Sequence, residues 1–97
     1  MRLSIFEVNV IKQVFLEVFG GDKIYLFGSR VNDAENGGDI DLYIKTSTDT
    51  KISLLPKKIE FLYKLKKIIG EQAIDVIIAR DKNRLIEKEA LMNGVEL

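Results

Sequence analysis

The spacing of apolar residues changes along the chain and predicts the order of helices and strands. Apolar side chains recur at helical spacing in residues 4–19, and Ser4 and Glu7 have the spacing of a capping box at the start of this helix. Gly20 is expected to end it. Residues 24–27 are apolar at every position, which is typical of a strand that is covered on both faces.

A second strand is predicted for residues 38–45, where two aspartates stand among apolar residues. Asp39 and Asp41 are separated by one residue, and successive side chains of a strand point to opposite faces. The two carboxylates are therefore expected on one face. The opposite, core-forming face carries Ile40, Leu42 and Ile44.

The next helix is predicted for residues 56–69. Pro56 suits the first turn of a helix, and Gly70 follows the last turn. Lysines on this helix form a basic outer surface, which is more typical of a solvated helix face than of a binding patch. The stripe that we expect to be buried consists of Leu55, Ile59, Leu62 and Ile69.

A third strand at residues 73–79 and a final helix complete the pattern. Asp81 is the expected N-cap of that helix, and Asn93 and Gly94 close it. The order of elements is α-β-β-α-β-α. It predicts an α/β (α+β) fold, with a small mixed three-stranded sheet and helices packed on it, in a single domain that takes up residues 1–97.

The composition excludes several classes of chemistry. The 97 residues contain no His and no Cys, and 15 basic residues balance 15 acidic ones, so the formal net charge is zero. Zinc sites built from Cys or His, Cys nucleophiles and His general bases are thereby excluded. Zero net charge argues against binding to duplex nucleic acid. Short apolar runs and the lack of a leader pattern predict a cytoplasmic protein that does not enter the membrane.

Candidate chemistry is concentrated in two short stretches. The first predicted strand stops at Gly28 and Ser29, where backbone N–H groups can approach an anion closely. Asp39 and Asp41 follow on the next strand. An anion-binding turn beside a carboxylate pair is typical of metal-assisted phosphoryl or nucleotidyl transfer, and a donor set made of oxygen alone favours Mg²⁺ or Mn²⁺.

A third aspartate, Asp75, interrupts the apolar run of the third strand. Strands disfavour Asp, and a buried carboxylate without a partner costs several kcal/mol. Two interpretations are open. In the first, Asp75 joins Asp39 and Asp41 around a shared divalent cation; in the second, it is an edge residue or a cap for a nearby loop. The first is our working hypothesis.

Taken together, these residues resemble the polymerase-beta-type nucleotidyltransferase superfamily. A Gly-Ser pair is followed by nine residues and then by Asp-Ile-Asp, with a third Asp on a later strand. The stretches at residues 26–31 and 37–42 resemble its minimal nucleotidyltransferases (MNT) in particular. The resemblance extends over nearly the whole chain.

The resemblance implies a nucleotidyltransferase fold and a role for each residue of the motif. Gly28 and Ser29 would hold the triphosphate of ATP, and Arg30 would either contact a phosphate or anchor the loop through an ion pair. The catalytic residues and the ligands of Mg²⁺ or Mn²⁺ would be Asp39, Asp41 and Asp75. Asp75 would also activate the attacking hydroxyl, so that AMP is transferred and pyrophosphate is released.

The resemblance also implies a partner protein. The predicted elements use up all 97 residues, so we expect a small all-helical protein to present the acceptor. That partner would be either a HEPN-type toxin, with this chain as its antitoxin, or a substrate-binding subunit. A different class of function is also open, in which catalysis is lost or dispensable and the chain neutralises its partner by occlusion.

Overall fold

Helices on both faces of a mixed sheet form the frame of the molecule. The computed structural model describes residues 3–31, 38–46, 51–80 and 83–97, except for the side chains of Ser29 and of residues 51–53. In chain order the elements are α1 (Ile5–Phe19), β1 (Lys23–Phe27), a 3-10 turn (Gly28–Val31), β2 (Ile40–Lys45), α2 (Lys51–Ile69), β3 (Ile74–Ile78), α3 (Leu85–Asn93) and β4 (Val95–Glu96). None of the helices in these described ranges has the length and apolar content needed to span a bilayer.

Within the described residues the sheet contains four strands, one more than predicted, in the order β3-β2-β1-β4. β1 is antiparallel to β2 and β4, and β2 is parallel to β3, so the sheet is mixed, as predicted. The sequence did not predict β4, because two residues are too few for an alternating pattern. Gly94 lets the chain turn into β4: a Cβ there would overlap the carbonyl oxygen of Ala90 and lie 3.1 Å from that of Leu26.

The larger core lies between the sheet and the helices α1 and α2. Phe19 of α1 and Phe61 of α2 meet edge to face in it, with ring centroids 5.7 Å apart. The side chains that β2 contributes are completely buried, as the alternation predicted; they are Ile40, Leu42 and Ile44. Because this face of β2 is apolar, Asp41 is directed to the opposite face of the sheet.

The ends of α1 have the predicted caps. Ser4 Oγ accepts a hydrogen bond from the Glu7 N–H at 3.0 Å, and Glu7 Oε1 accepts one from the Ser4 N–H at 3.0 Å. Gly20 follows the last turn with a φ of 82°, and its N–H donates to the carbonyl of Leu16. Gly70 ends α2 in the same left-handed region, with a φ of 92°.

α2 differs from its predicted form in two ways. It begins at Lys51, so Pro56 lies inside the helix rather than in its first turn. The predicted buried stripe is wrong at Leu55 and Ile59, which are 63% and 60% exposed. The side chains that pack on the core are instead Leu54, Phe61, Leu62, Leu65 and Ile69. α2 is apolar on two stripes, and periodicity alone does not decide which stripe meets the sheet.

The opposite face of the sheet is covered by α3, where Phe27, Tyr43 and Ala90 form a small second core. The helix begins at Leu85, and the side chain of its N-cap residue, Arg84, makes no capping hydrogen bond. The predicted N-cap, Asp81, lies outside the described residues, as do all but the first of the residues in the predicted loop 46–50.

Candidate active site

The turn after β1 brings its backbone directly against a carboxylate of β2. Phe27 is paired with Asp41 in the antiparallel register, and Gly28 follows with a φ of 78°. A Cβ built on Gly28 would overlap Asp41 Oδ2 and lie 3.2 Å from Asp41 Cγ. Position 28 therefore requires glycine for two reasons, the left-handed backbone and the contact with the carboxylate.

A second carboxylate lies beside Asp41 on the neighbouring strand. Asp41 and Asp75 are partners in the parallel register of β2 and β3, so both side chains point to the α3 face of the sheet. Asp75 is exposed because β3 is an edge strand of the described sheet, and the burial cost that we considered does not arise. Asp75 is thus a residue of the edge strand, as one interpretation stated. It also lies beside Asp41, which the interpretation as a shared cation site requires.

The charges around Asp41 are negative on several sides. Burial raises the pKa of Asp41 above its ordinary value, and the nearby carboxylates of Asp75, Asp39 and Glu89 raise it further. Asp39 itself is exposed and directly precedes β2. Because each of these groups disfavours another negative charge, a cation bound beside them would favour the binding of a phosphate.

A cleft of about 530 Å³ opens next to these carboxylates, within the roughly 300–1,000 Å³ that is typical of ligand pockets. We call it the carboxylate cleft. Its lining comes from β1, the 3-10 turn, β2, β3, α2 and α3, and consists of Phe27, Gly28, Asp41, Lys58, Leu62, Ile74, Asp75, Val76, Ile77, Ile86 and Glu89. Of the predicted site residues, Gly28, Asp41 and Asp75 line this cleft and Asp39 is not part of its lining, which also includes Lys58 and Glu89.

Arg30 anchors the 3-10 turn to residues on the other side of the site. Its Nε donates to the carbonyl oxygen of Gly38 at 3.2 Å, and its Nη2 donates to Gln72 Oε1 at 3.3 Å. Gln72 Nε2 donates in turn to Glu7 Oε2 at 2.8 Å, and this hydrogen bond is the main cause of the lowered pKa of Glu7. Arg30 therefore anchors the loop, as one of the two predicted roles required, but these anchoring contacts are hydrogen bonds to a backbone carbonyl and a side-chain amide. A contact between Arg30 and phosphate stays a prediction.

The family model described as polymerase beta, nucleotidyltransferase matches residues 9–97, which is nearly the whole chain. The chain belongs to this family. A search of curated protein sequences gives no significant match. Nucleotidyltransferases of this family generally use a divalent metal ion and a nucleoside triphosphate. The predicted nucleotidyltransferase fold is thus confirmed, while the narrower resemblance to minimal members stays a prediction.

The oxygen donors of this nucleotidyltransferase fit a hard divalent cation. Mg²⁺ is usually held by one or two carboxylates, together with substrate phosphates and water. Among the described residues, no three acidic side chains form a ready-made metal-binding group, and Asp41 with Asp75 supplies a neighbouring pair. This arrangement suits an ion that binds together with a triphosphate. The assignment of Asp39, Asp41 and Asp75 as ligands stays a prediction.

A completely buried carboxylate holds α3 against the sheet of the nucleotidyltransferase. Glu87 accepts hydrogen bonds from the Tyr43 hydroxyl at 2.8 Å, from the Arg80 N–H at 3.2 Å and from Arg84 Nη1 at 3.3 Å. Burial, together with Glu87, raises the pKa of Tyr43, which therefore remains a hydrogen-bond donor. Tyr43 follows Asp41 on the same face of β2, so this network fixes α3 next to the carboxylate cleft.

Sequence reasoning missed Lys58, Glu87 and Glu89. They are charged residues on helices rich in Lys and Glu, and no local pattern separates them from solvated neighbours. One signal was available, because Tyr43 shares a strand face with Asp41 and a buried phenol needs a hydrogen-bond partner. The carboxylate that serves as this partner is decided by the packing of α3.

Proposed function

We propose that this nucleotidyltransferase transfers AMP from ATP to a hydroxyl group that a helical partner protein carries or holds. The observation that carries the proposal is the contact of Gly28 with Asp41, together with the pairing of Asp41 and Asp75, at one side of a 530 Å³ cleft. Family membership supports the class of reaction. Family membership does not specify the transferred group, the partner or the location. We include AMP, a helical partner and a cytoplasmic location in the proposal.

In the proposed reaction the acceptor hydroxyl oxygen attacks the α-phosphorus of ATP. A new oxygen–phosphorus bond forms, and the bond from the α-phosphorus to the bridging oxygen breaks, so pyrophosphate leaves with that oxygen. The hydroxyl proton passes to the carboxylate of Asp75. Bound Mg²⁺ or Mn²⁺ would offset the negative charge of the phosphates and of the carboxylates. Gly28 and Ser29 would hold the triphosphate through their backbone N–H groups.

The open position of the carboxylate cleft supports a role for a partner. α2 and α3 border the cleft on two sides, and β3 is an edge strand of the described sheet. An acceptor presented by another protein can therefore approach along β3. We propose a small all-helical partner, which is either a HEPN-type toxin, with this chain as its antitoxin, or a substrate-binding subunit.

A second function, neutralisation of a partner by occlusion alone, is favoured by one observation. α2 exposes three large apolar side chains at helical spacing, Leu55, Ile59 and Tyr63, each about 60% exposed or more. Such a stripe is typical of a protein interface. It needs no catalysis, so the two functions are separated by variants that lack only the carboxylates.

The metal site is tested by thermal unfolding of the nucleotidyltransferase alone. Mn²⁺ at about a hundredfold excess over its dissociation constant should stabilise the fold by roughly 2.7 kcal/mol, because it binds the folded state and relieves carboxylate repulsion. ATP added with Mn²⁺ should raise the melting temperature further. Asp39→Asn/Asp41→Asn should abolish both shifts, whereas Glu71→Gln/Glu96→Gln, which removes two exposed carboxylates outside the cleft, should keep them. An equal shift in both variants would reject the site.

The role of catalysis is tested with the partner present. The wild-type chain should co-purify with its partner and, with ATP and Mg²⁺, attach AMP to the partner or to an acceptor that the partner holds, as seen by intact mass. Asp39→Asn/Asp41→Asn should still bind the partner but transfer nothing. If the partner is a toxin, the same variant should fail to protect growing cells. Full protection at equal expression would establish occlusion as the function instead.

A further inference from the structure

Lys58 is the one basic side chain in the described lining of the carboxylate cleft. The same lining contains three carboxylates, those of Asp41, Asp75 and Glu89. Within the described part of the chain, the Lys58 amine forms neither an ion pair nor a hydrogen bond, although these carboxylates line the same cleft. The positive charge of Lys58 is therefore available to a ligand that enters the cleft.

Lys58 lies on the side of the cleft that is opposite to the Gly28 turn. Phe27 pairs with Asp41, and Asp41 pairs with Asp75, so these positions form a row from β1 through β2 to β3, and Gly28 follows at the β1 end. Lys58 also lines an adjoining groove of about 330 Å³, whose described lining comes from α2, β3 and the residues between β3 and α3. Because β1 and β2 contribute nothing to that lining, Lys58 lies beside β3, and the carboxylate pair separates it from the Gly28 turn.

In-line transfer assigns different reactants to these two sides of the carboxylate pair. The entering and the leaving oxygen lie on opposite sides of the phosphorus. In the proposed function Gly28 and Ser29 hold the triphosphate, so pyrophosphate leaves on the β1 side and the acceptor enters from the β3 side. Lys58 is then on the acceptor side, where an ammonium group favours an acceptor with a negative charge close to its hydroxyl.

The cleft lining favours a polypeptide with a single carboxylate over a nucleic acid as this acceptor. A nucleic acid carries a charge on every phosphate, and the three carboxylates of the lining outnumber Lys58 and would repel successive phosphates. Phe27, the one aromatic residue of the described lining, is only 5% exposed and offers little ring surface for stacking bases. The partly exposed neighbours Leu62 and Ile77 are aliphatic and suit the apolar parts of a peptide.

We propose that Lys58 is a specificity-determining residue, which selects an acceptor hydroxyl on a polypeptide that has an Asp or Glu close to that hydroxyl. The Lys58 ammonium group forms an ion pair with the substrate carboxylate and so places the hydroxyl beside Asp75. The same ion pair offsets the repulsion between the substrate carboxylate and the acidic residues of the cleft. This inference names the acceptor class of the proposed function and rests on that function.

The test is selection from peptide libraries that have one central Ser, Thr or Tyr and random flanking residues. The full-length chain is immobilised with Mn²⁺ and α,β-methylene-ATP, which does not allow transfer, and the bound peptides are sequenced. The wild type should enrich Asp and Glu over Lys and Arg near the hydroxyl at least about tenfold, which corresponds to roughly 1.4 kcal/mol. Lys58→Gln should remove this preference, and Lys58→Arg should keep it because the positive charge is retained.

The matched control is Lys57→Gln, which removes the same charge from the adjacent, partly exposed position outside the described lining of both cavities. It should keep the wild-type preference. A wild type without acidic preference, an unchanged preference in Lys58→Gln, or an equal loss in Lys57→Gln would overturn the proposal. Tighter binding of single-stranded oligonucleotides than of the selected peptides would overturn it in favour of a nucleic acid acceptor.

Thermal shifts with Mn²⁺ and ATP distinguish failure of this proposal from failure of the proposed function. Lys58→Gln should keep the wild-type shifts, because Lys58 faces the acceptor and not the triphosphate. Loss of the ATP shift in Lys58→Gln but not in Lys57→Gln would assign Lys58 to the phosphates and reject the acceptor proposal alone. Wild-type shifts without an acidic preference would also reject only the acceptor proposal, whereas absence of shifts in the wild type would reject the proposed function.

Discussion

The two faces of the sheet use the same side-chain alternation for opposite purposes. Towards α1 and α2, β2 contributes apolar side chains that are completely buried, each worth roughly 1.5–3 kcal/mol of stability. Towards α3, the same strand contributes Asp41 and Tyr43. There the packing includes a buried carboxylate, Glu87, and the pKa of Asp41 is raised by burial and by its acidic neighbours.

The comparison shows how a small domain can hold charged groups close together. The apolar face supplies free energy that offsets the repulsion between carboxylates on the other face. The buried apolar cluster on the α3 face is small and consists of Phe27, Tyr43 and Ala90. The geometry of this face therefore depends on the Glu87 hydrogen bonds and on strands that the larger core holds in place from the other face. Substitutions on the first face should therefore affect folding, and substitutions of the carboxylates that line the cleft on the second face should affect chemistry.

The largest expected effect is on folding, and it comes from placing a charge at a buried position of β2 next to Asp41. Ile40→Asp places a charge in the apolar core, at a cost comparable with the whole stability of a small domain, about 5–15 kcal/mol. The variant should be unfolded by circular dichroism. Asp41→Asn should fold. A folded Ile40→Asp together with an unfolded Asp41→Asn would show that the two faces are assigned the wrong way round.

The next largest effect should be on nucleotide transfer rather than on folding. Asp41→Asn keeps the shape of the side chain but removes its charge, so AMP transfer should fall at least about a hundredfold, which is roughly 2.7 kcal/mol of transition-state stabilisation. The rate is measured with the partner present, and Glu71→Gln serves as the control. A wild-type rate for Asp41→Asn would remove Asp41 from the catalytic residues.

A matched pair on α3 compares a structural carboxylate with one that lines the cleft. Glu87→Gln removes a buried charge that accepts several hydrogen bonds, and it should lower the free energy of unfolding by about 1.5–3 kcal/mol. Glu89→Gln, at an exposed position two residues later, should change it by less than about 0.5 kcal/mol. Urea denaturation measures both. Equal effects would mean that Glu87 does not hold α3 in place.

The smallest effect is a pH dependence of opposite sign at two carboxylates. The raised pKa of Asp41 means that its stabilising contribution is present below its ordinary value of 3.8 and is lost as pH rises. The lowered pKa of Glu7 means that its contribution is present above 4.5 and is lost as pH falls. Asp41→Asn should therefore stabilise, and Glu7→Gln destabilise, at pH 7.

Urea denaturation over a range of pH from 7 downwards measures both changes. The difference between Asp41→Asn and wild type should become small below pH 3.8, where the Asp41 carboxyl is protonated in both the folded and the unfolded state. The difference between Glu7→Gln and wild type should shrink as pH falls below 4.5. A destabilised Asp41→Asn at pH 7, without metal, would contradict the repulsion between Asp41 and its acidic neighbours.

Several features follow from the sequence because they depend on residues close together in the chain. The capping box of Ser4 and Glu7, the end of α1 at Gly20 and the burial of one face of β2 are of this kind. They follow from backbone geometry that each local stretch carries by itself. The same holds for the Gly-Ser turn and the spacing of Asp39 and Asp41. Together with Asp75 on a later strand they indicated the family that the match over residues 9–97 then showed.

Other features were decided only when distant residues packed together. Leu55 and Phe61 are both apolar residues of α2, and only the fit against α1 and the sheet buries Phe61 and leaves Leu55 exposed. Glu87 and Glu89 are alike in sequence, yet one turns inward to Tyr43 because α3 covers that side of β2. Asp75 lies beside Asp41 because of the parallel register of β2 and β3, and register depends on contacts between strands that are far apart in the chain.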